Sequence, residues 1–382
     1  MSKEKRSGCC LWRLIKFVLM LLLLGGVAYC VYYFPITSNE EEYVDYYKEP
    51  IEENDTIAYV IPSPKKEVDD YRKEHVDSID MYVHDSHYDY SEVAKMIKRF
   101  KDNNYEVINL ISIGGWNSPH VNTNFSSEEY FKEWIEFNKR ISKPEFEFYG
   151  FDGIDWDIEG NSDINSSINY FSYKELDIMG QFSQKLKKEG YIVSMAPAES
   201  YLDPTTDEFS LSLLYNYPEW EKEVPEFKYH GRNVYAYLLA KYSIDTFDFI
   251  SIQLYEGYSH TLYKYKKLKQ NFGNILYDLI KQLNDGYIVD FSKDKNSGLG
   301  KEIIKIPLNK IVIGLANGWA GERFLFVDEK NIVEGWNFLK EKNKEVRGFM
   351  FWDIADEGKI PNDENTCDKT PFYMAKVLNS IL

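Results

Sequence analysis

The sequence predicts an α/β fold, a (β/α)8 TIM barrel preceded by an N-terminal transmembrane or signal-anchor helix. Short apolar runs alternate with amphipathic stretches throughout residues 56–382, and polar side chains collect at the ends of several of these runs. A long uncharged stretch also lies near the N-terminus. An open doubly wound sheet is the alternative, but no G-x-G-x-x-G motif follows the first predicted strand.

The N-terminal part divides into a basic tail at 1–16, an uncharged segment at 17–34 and an acidic tether at 35–55. The uncharged segment is long enough to cross a hydrocarbon core of about 30 Å, and the basic tail predicts a cytosolic N-terminus. We therefore expect a single-pass membrane protein whose main domain, 56–382, is extracellular or lumenal. The alternative is a signal peptide cleaved after a small residue such as Ala28, which leaves a secreted protein.

Eight apolar runs of strand length predict the strands of the barrel. Strands of a parallel barrel are buried on both faces, which explains why these runs alternate so little with polar residues. In chain order the runs are 57–61, 76–83, 105–113, 150–157, 191–196, 247–255, 310–316 and 348–352.

Amphipathic stretches with a helical apolar period predict the helices between these strands. The second helix is expected to begin at Ser126 or Ser127, since Glu128 and Glu129 follow in the pattern of a capping box. The predicted helices are 91–103, 127–140, 173–189, 271–284 and 330–340, and a long segment at about 198–245, rich in aromatic residues, is expected to wall a groove.

Charge and cysteine content exclude several classes of function. With 62 acidic and 45 basic residues the net charge is −17, and no basic stripe offsets it, which excludes a nucleic-acid partner. Only Cys367 lies beyond residue 30, which excludes a disulfide scaffold and a cysteine zinc site. Sequons at Asn54, Asn124 and Asn165 are compatible with export.

The most informative stretch is YGFDGIDWDIEG, residues 149–160. Side chains alternate between the two faces of a strand, so Asp155, Asp157 and Glu159 are expected to share one face. The other face is apolar, as expected of a strand covered by helices. Burying three adjacent acids costs roughly several kcal/mol unless they are protonated or paired. A fold that accepts this cost indicates a functional site.

Two structural alternatives can be tested on the spacing of these acids. A calcium loop that starts at Asp155 needs a glutamate at its twelfth position, which is Ser166 here, so that interpretation fails. A solvated acidic edge strand does not agree with the apolar opposite face. For a metal elsewhere, His84 and His87 lack a third ligand at a suitable position, so no metal and no cofactor is expected.

Neighbouring carboxylates in a poorly solvated cleft raise one another's proton affinity. Glu159, at the end of the strand, is therefore expected to hold a proton near neutral pH and to donate it to a leaving oxygen. Asp157 is the candidate second carboxylate, but it lies about 6.6 Å along the same strand, an awkward position for attack on the opposite face of a sugar.

The acids resemble the D-x-x-D-x-D-x-E motif of glycoside hydrolase family 18, which contains chitinases, endo-β-N-acetylglucosaminidases and chitinase-like lectins. The similarity extends over about 57–382 and keeps the order of the family's motifs. Its matching residues are Asp152, Asp155, Asp157 and Glu159 of the acidic motif, Ser112, Gly114 and Gly115 of S-x-G-G, Met195 of M-x-P, Gln253 and Tyr255 of Q-x-Y, and Trp352 at the end of the eighth strand.

This resemblance implies substrate-assisted catalysis, in which the carbonyl oxygen of the substrate's 2-acetamido group is the nucleophile. Glu159 would then be the acid and later the base, Asp157 would hold the acetamido group, and Asp155 would share a proton with Asp157. The remaining implied roles are acetamido binding for Tyr255, substrate binding for Gln253, Trp352 and Met195, and structural support for Asp152, Ser112, Gly114 and Gly115. Apart from the resemblance, Trp116 follows a predicted strand end and is a candidate to stack on a sugar ring, with ordinary loop packing as the alternative.

The leading hypothesis is an endo-acting chitinase that hydrolyses β-1,4-N-acetylglucosamine linkages with retention and binds chitin or N-acetylglucosamine oligosaccharides. An endo-β-N-acetylglucosaminidase acting on N-glycans and a non-hydrolytic chitin-binding lectin are the alternatives; the intact Glu159 argues against the lectin. Two departures affect the expected subsites: Glu256 stands where relatives have Asn or Asp, and Ala198 where many have Glu.

Overall fold

The architecture is known from a computed structural model. It describes residues 29–32, 56–60, 90–102, 106–214, 231–316, 319–320, 323–352, 377–378 and 380–381. The strands in these ranges are β1 (Tyr29–Tyr32), β2 (Thr56–Val60), β3 (Glu106–Gly115), β4 (Gly153–Ile158), β5 (Ile192–Met195), β6 (Phe249–Gln253), β7 (Tyr287–Asp290), β8 (Lys301–Ile304), β9 (Ile311–Ala316) and β10 (Gly348–Trp352).

The core of the molecule is a curled sheet of six parallel strands in the order β3-β4-β5-β6-β9-β10. Strand β2 pairs in parallel with β3, and β1 closes the ring between β2 and β10. The strands of the barrel other than β1 begin at the same end, so their C-terminal ends meet on the opposite face. Functional loops of such barrels lie on that C-terminal face.

The closing strand differs from the expected arrangement. Strand β1 runs antiparallel to both neighbours and lies inside the segment 17–34 that was expected to be a membrane helix. Tyr29–Tyr32 consists of aromatic, cysteine and β-branched residues, and it supplies backbone partners to two otherwise open sheet edges. The helix prediction is therefore wrong at these four residues, and the remainder of 17–34 lies outside the described residues.

The other N-terminal predictions have a mixed outcome. Strand β2 pairs directly with β3, and the predicted strand at 76–83 lies outside the described residues. The tail at 1–16, the whole tether at 35–55, and the pair His84 and His87 also lie outside the described residues. Within the described ranges, no helix has both the length and the apolar composition needed to span a membrane.

The helices are α1 (Ser91–Asp102), α2 (Ser127–Ile141), α3 (Tyr173–Lys188), α4 (Ala236–Tyr242), α5 (His260–Leu262), α6 (Phe272–Asp285) and α7 (Glu329–Glu341). The predicted capping box is present: the Ser126 hydroxyl accepts from the Glu129 amide, and the Glu129 carboxylate accepts from the Ser126 amide. An equivalent box at Ser172 and Glu175 begins α3. The buried faces of the helices pack on the outside of the sheet.

A hairpin and a helix in the second half of the chain were also not predicted. Strands β7 and β8 form a separate antiparallel hairpin between α6 and β9. Helix α4 lies within the long segment between β5 and β6, of which 215–230 is outside the described residues. This segment follows the C-terminal end of β5 and therefore borders the functional face of the barrel.

Candidate active site

Alternation along β4 directs its acids into the barrel. Asp155 pairs in register with Ser112 of β3 and Ser194 of β5, so these three positions form one layer of the interior. Trp156 points the other way, and its indole nitrogen donates to the Ser183 hydroxyl of α3 at 2.8 Å. The polar face of β4 is therefore the interior face.

Asp155 is buried and bonded from both neighbouring strands. The Ser194 hydroxyl donates to Oδ1, and the Ser112 hydroxyl donates to Oδ2 at 3.3 Å. Burial raises the pKa of Asp155 to about 6, although the two hydroxyls oppose this rise. Asp155 can therefore exchange a proton near neutral pH.

Asp157 lies one layer nearer the functional face and is fully buried. The side-chain amide of Gln253 donates to Asp157 Oδ1 at 2.8 Å and to the Ala196 carbonyl oxygen at 2.7 Å. This pair of bonds orients the Gln253 amide between β4, β5 and β6. The Asp157 carboxylate is consequently fixed in position by a neutral donor.

Glu159 follows β4 at the functional face and is 4% exposed. Burial raises the pKa of Glu159 well above its usual range, and the carboxylates of Asp157 and Glu256 raise it further. The Gln253 amide only partly opposes these effects. A proton on Glu159 near neutral pH is what a general acid needs.

Glu256 adds a further carboxyl group next to the acids of β4. It follows β6, is buried, and its pKa is raised by burial to about 7. Tyr201, Tyr255 and Tyr258 are buried around it, and the charge of Glu256 contributes to the raised pKa of each of these phenols. The site is thus a chamber of carboxyl groups and phenols.

We expect Glu256→Gln to shift the alkaline limb of the pH profile of kcat to lower pH. Removing this carboxylate removes a charge that raises the pKa of Glu159, so the acid loses its proton at lower pH. Hydrolysis rates at saturating substrate between pH 4 and 9 measure the shift, and Glu334→Gln on the exposed face of α7 is the control. An unchanged limb contradicts the electrostatic coupling.

Gly114 allows β3 to pack directly against the acidic strand. A Cβ atom on Gly114 would lie 2.2 Å from the Asp157 carbonyl oxygen, and the residue has a φ of +125°. Both features exclude a side chain at this position. Gly115, the next residue, also has a positive φ of 92°.

We expect Gly114→Ala to lower the free energy of unfolding by roughly 3 kcal/mol or more, because both the backbone contact and the φ angle oppose it. Gly190→Ala is the matched control: its φ is +89°, but an added Cβ meets no atom within 4 Å. The control should lose only about 1 to 2 kcal/mol. Urea denaturation measures both losses, and equal losses would contradict the close-packing role.

The expected aromatic site residues Tyr255, Trp352 and Trp116 lie at the C-terminal face of the barrel. Tyr255 is buried next to the acids, and its ring is perpendicular to that of Trp319 at 5.7 Å. The backbone carbonyl of Trp352, at the end of β10, accepts a hydrogen bond from the Trp319 indole nitrogen. Trp116 donates its indole N–H to the Ser162 hydroxyl at 2.8 Å and is partly exposed. These tryptophans line the functional face.

Two expected residues do not lie in the chamber. Asp152 precedes β4 at the opposite end of the barrel, where its carboxylate accepts from the Asn109 backbone amide at 2.7 Å. Met195 pairs in register with Trp156 and is fully buried in the apolar core. Alternation along β5 places Met195 on the face opposite Ser194, and its expected contact with substrate stays a prediction.

Three contributing residues were not identified from the sequence. The Ser194 hydroxyl donates to Asp155. Its position, two residues after the start of the strand next to the acids, is the sequence feature that could have identified it. Tyr235 accepts from the Ile158 amide at 2.8 Å and donates to the Ile158 carbonyl at 3.1 Å. The His120 ring nitrogen Nε2 donates to the Glu159 carbonyl oxygen at 2.9 Å. Neither Tyr235 nor His120 belongs to a recognisable motif.

Comparison with known proteins gives similarity in structure only. No protein-family model and no curated protein matches the chain. A fungal endo-β-N-acetylglucosaminidase from glycosyl hydrolase family 18 is similar at 15% identity and a TM-score of 0.44, with 77% of each chain covered. A family 18 chitinase from Pseudoalteromonas aurantia has 13% identity and a TM-score of 0.42, covering 75% of this chain and 82% of that one.

A xylanase and α-amylase inhibitor protein from Scadoxus multiflorus is also similar, at 15% identity and a TM-score of 0.41, covering 70% of this chain and 76% of that one. The family named for the first two structures, glycoside hydrolase family 18, is the one that the sequence motifs of this chain resemble.

Proposed function

We propose that the protein is a retaining glycoside hydrolase that uses substrate-assisted catalysis on β-1,4-linked N-acetylglucosamine. The main support is the protonated state favoured at Glu159, a buried carboxyl group next to the charges of Asp157 and Glu256. A proton donor in this position suits cleavage of a glycosidic bond, because the leaving oxygen must be protonated as the bond breaks.

In the first proposed step, Glu159 donates its proton to the glycosidic oxygen. The carbonyl oxygen of the 2-acetamido group attacks the anomeric carbon, the bond to the leaving oxygen breaks, and an oxazolinium ion forms. Asp157 accepts the acetamido N–H and balances the developing positive charge. The Gln253 amide supports this role because its hydrogen bond orients Asp157.

In the second proposed step, the Glu159 carboxylate removes a proton from water, and the water oxygen attacks the anomeric carbon from the face that the leaving group vacated. The oxazolinium ring opens and restores the acetamido group, so the β configuration is retained. Asp155, whose pKa is raised to about 6, is suited to share a proton with Asp157 as the charge changes. The Tyr255 hydroxyl is proposed to donate a hydrogen bond to the acetamido oxygen.

We favour chitin-type oligosaccharides as the substrate, with endo-acting cleavage. The endo-β-N-acetylglucosaminidase hypothesis requires the same acids, so the two enzymes differ only in their subsites. The full chain should be offered N-acetylchitohexaose and a high-mannose glycoprotein in parallel, with mass spectrometry of the products. Internal cleavage of the hexaose supports the chitinase; release of N-glycans with the hexaose intact supports the alternative. Binding without any cleavage supports the lectin.

We also propose that the chain is exported. The order of a basic tail, an apolar segment and an acidic tether supports this, and the side chains of Asn124 and Asn165, both in sequons, are exposed. Export predicts that an N-glycosidase lowers the apparent mass of the cellular protein. N-terminal sequencing of the same material determines whether the segment is cleaved or retained, and an unglycosylated cytosolic protein contradicts export.

A further inference from the structure

A buried ionic cluster lies beside the candidate site and was not indicated by any motif. Arg232 Nη1 donates to Asp203 Oδ2 at 2.9 Å, and both side chains are almost completely buried. The His260 ring nitrogen Nε2 lies 3.0 Å from the same carboxylate oxygen. We call these three residues the Asp203 cluster.

The Asp203 cluster joins two segments that border the barrel's functional face. The wall segment comprises 199–205 and 231–235, and the β6 loop comprises 254–262. Two further contacts also join them: the Thr261 amide donates to Glu199 Oε2 at 3.1 Å, and the Thr205 hydroxyl lies 3.1 Å from His260 Nε2. Within the wall segment, the Asp203 amide donates to Asn233 Oδ1 at 2.8 Å. The cluster thus connects the two segments through side chains.

Both segments supply groups to the active-site chamber. The β6 loop contains Tyr255 and Glu256, and the wall segment contains Tyr201, whose pKa is raised first by burial and then by the charges of Glu159 and Glu256. The wall segment also contains Tyr235, which bonds the backbone between Asp157 and Glu159. The relative position of the two segments therefore sets the shape of the chamber around a bound sugar.

We propose that His260 is a positioning residue that, when protonated, holds the β6 loop against the wall segment and so favours substrate binding. This inference rests on the proposed function. His260 lies outside the chamber of acids, and it acts through the loop that contains Tyr255 and Glu256. Its neutral form loses the charge that attracts the Asp203 carboxylate, and the two segments separate more readily.

The charges around His260 determine the direction of the pH effect. Burial by itself lowers the pKa of His260, but the carboxylates of Asp203 and Glu199 outweigh burial, and Arg232 only partly opposes them, so the pKa is raised. Burial raises the pKa of Asp203, but the hydrogen bond and the positive charge of His260 oppose burial and help to lower this pKa to about 2. The charged pair is therefore complete below the usual histidine pKa and is lost as the pH rises through the raised value.

Hydrogen exchange tests the connection without any substrate. In the full chain, exchange in the wall segment and the β6 loop, corrected for intrinsic pH dependence, should rise together as His260 deprotonates. In His260→Gln both segments should exchange at the faster rate at every pH, whereas in His260→Lys, which keeps a charge, they should stay slow at high pH. Pulses between pH 5 and 9 with mass spectrometry supply the measurement.

Kinetics test the consequence for binding. In the wild type, KM for N-acetylchitohexaose should rise roughly fivefold across the same pH range, as loss of a partly buried ion pair allows. In His260→Gln the KM should already be high at pH 5 and should rise less with pH than in the wild type, while the pH profile of kcat keeps its shape. Lys187→Met is the matched control, since the ion pair between Lys187 and Asp248 at 2.7 Å lies at the opposite end of the barrel.

The outcomes separate this inference from the proposed function. Coupled exchange without hydrolysis supports the role of His260 in holding the segments, and it contradicts only the glycosidase assignment. Hydrolysis with pH-independent exchange in both segments, or a KM in His260→Gln that follows the wild-type profile, overturns the inference. The same shifts in Lys187→Met would also overturn it, because they would reflect general stability.

Discussion

Glu159→Gln is expected to lower kcat on N-acetylchitohexaose by about 1,000-fold while oligosaccharide binding persists. The amide has nearly the shape of the acid but cannot donate a proton to the leaving oxygen. It also cannot accept a proton from water in the second step. A 1,000-fold loss corresponds to about 4 kcal/mol of transition-state stabilisation.

Initial rates and calorimetric titration of the same preparation measure turnover and binding separately. Glu189→Gln on the exposed surface is the matched control, because it makes the same chemical change far from the acids. The removed carboxyl of Glu159 also lies next to two other acids, so the variant should fold at least as stably as the wild type. Hydrolysis near the wild-type rate would mean that another group is the acid.

The second large effect concerns the substrate. Oligomers of β-1,4-linked glucose, which lack the 2-acetamido group, should not be cleaved at a detectable rate. The internal nucleophile supplies an advantage of roughly 7 to 11 kcal/mol in favourable geometry, and its removal forfeits that advantage. Cellohexaose and N-acetylchitohexaose at equal concentration, analysed by chromatography, provide the comparison.

Two further measurements on the same reaction test its stereochemistry and its intermediate. The first product anomer seen by NMR should be β, because two displacements at the anomeric carbon restore the configuration. A thiazoline analogue of the oxazolinium ion should inhibit more tightly than the product sugar. Cleavage of cellohexaose, or an initial α anomer, would show that the acids of β4 work by a different mechanism.

Local patterns predicted most of the barrel from β3 onward. The runs at 310–316 and 348–352 became β9 and β10 nearly unchanged, and the capping box began α2 as expected. These elements depend on residues within one short stretch, which a sequence pattern reports directly. The closing strand β1 could not be predicted in this way, because its position depends on two open sheet edges that are supplied by distant parts of the chain.

The acids of the site were predictable from a local pattern, since alternation along one strand determines their face. The hydrogen-bond partners of these acids were harder to predict. The Ser194 hydroxyl and the Tyr235 phenol approach from other elements, and only the fold brings them to β4. For Met195, the motif match did not indicate which face of β5 the side chain occupies, and the register places it on the face opposite Ser194.

The pair of hydrogen bonds between Tyr235 and Ile158 has a consequence for protein engineering. Strand β5 ends at Met195, opposite Trp156, so the phenol supplies the backbone of Ile158 with the partners that a longer β5 would have provided. The segment after β5 is therefore not an interchangeable module. Grafting in a shorter loop from another barrel to alter specificity would leave Ile158 unpaired and loosen the end of the catalytic strand. Such chimaeras should retain Tyr235 as an anchor point.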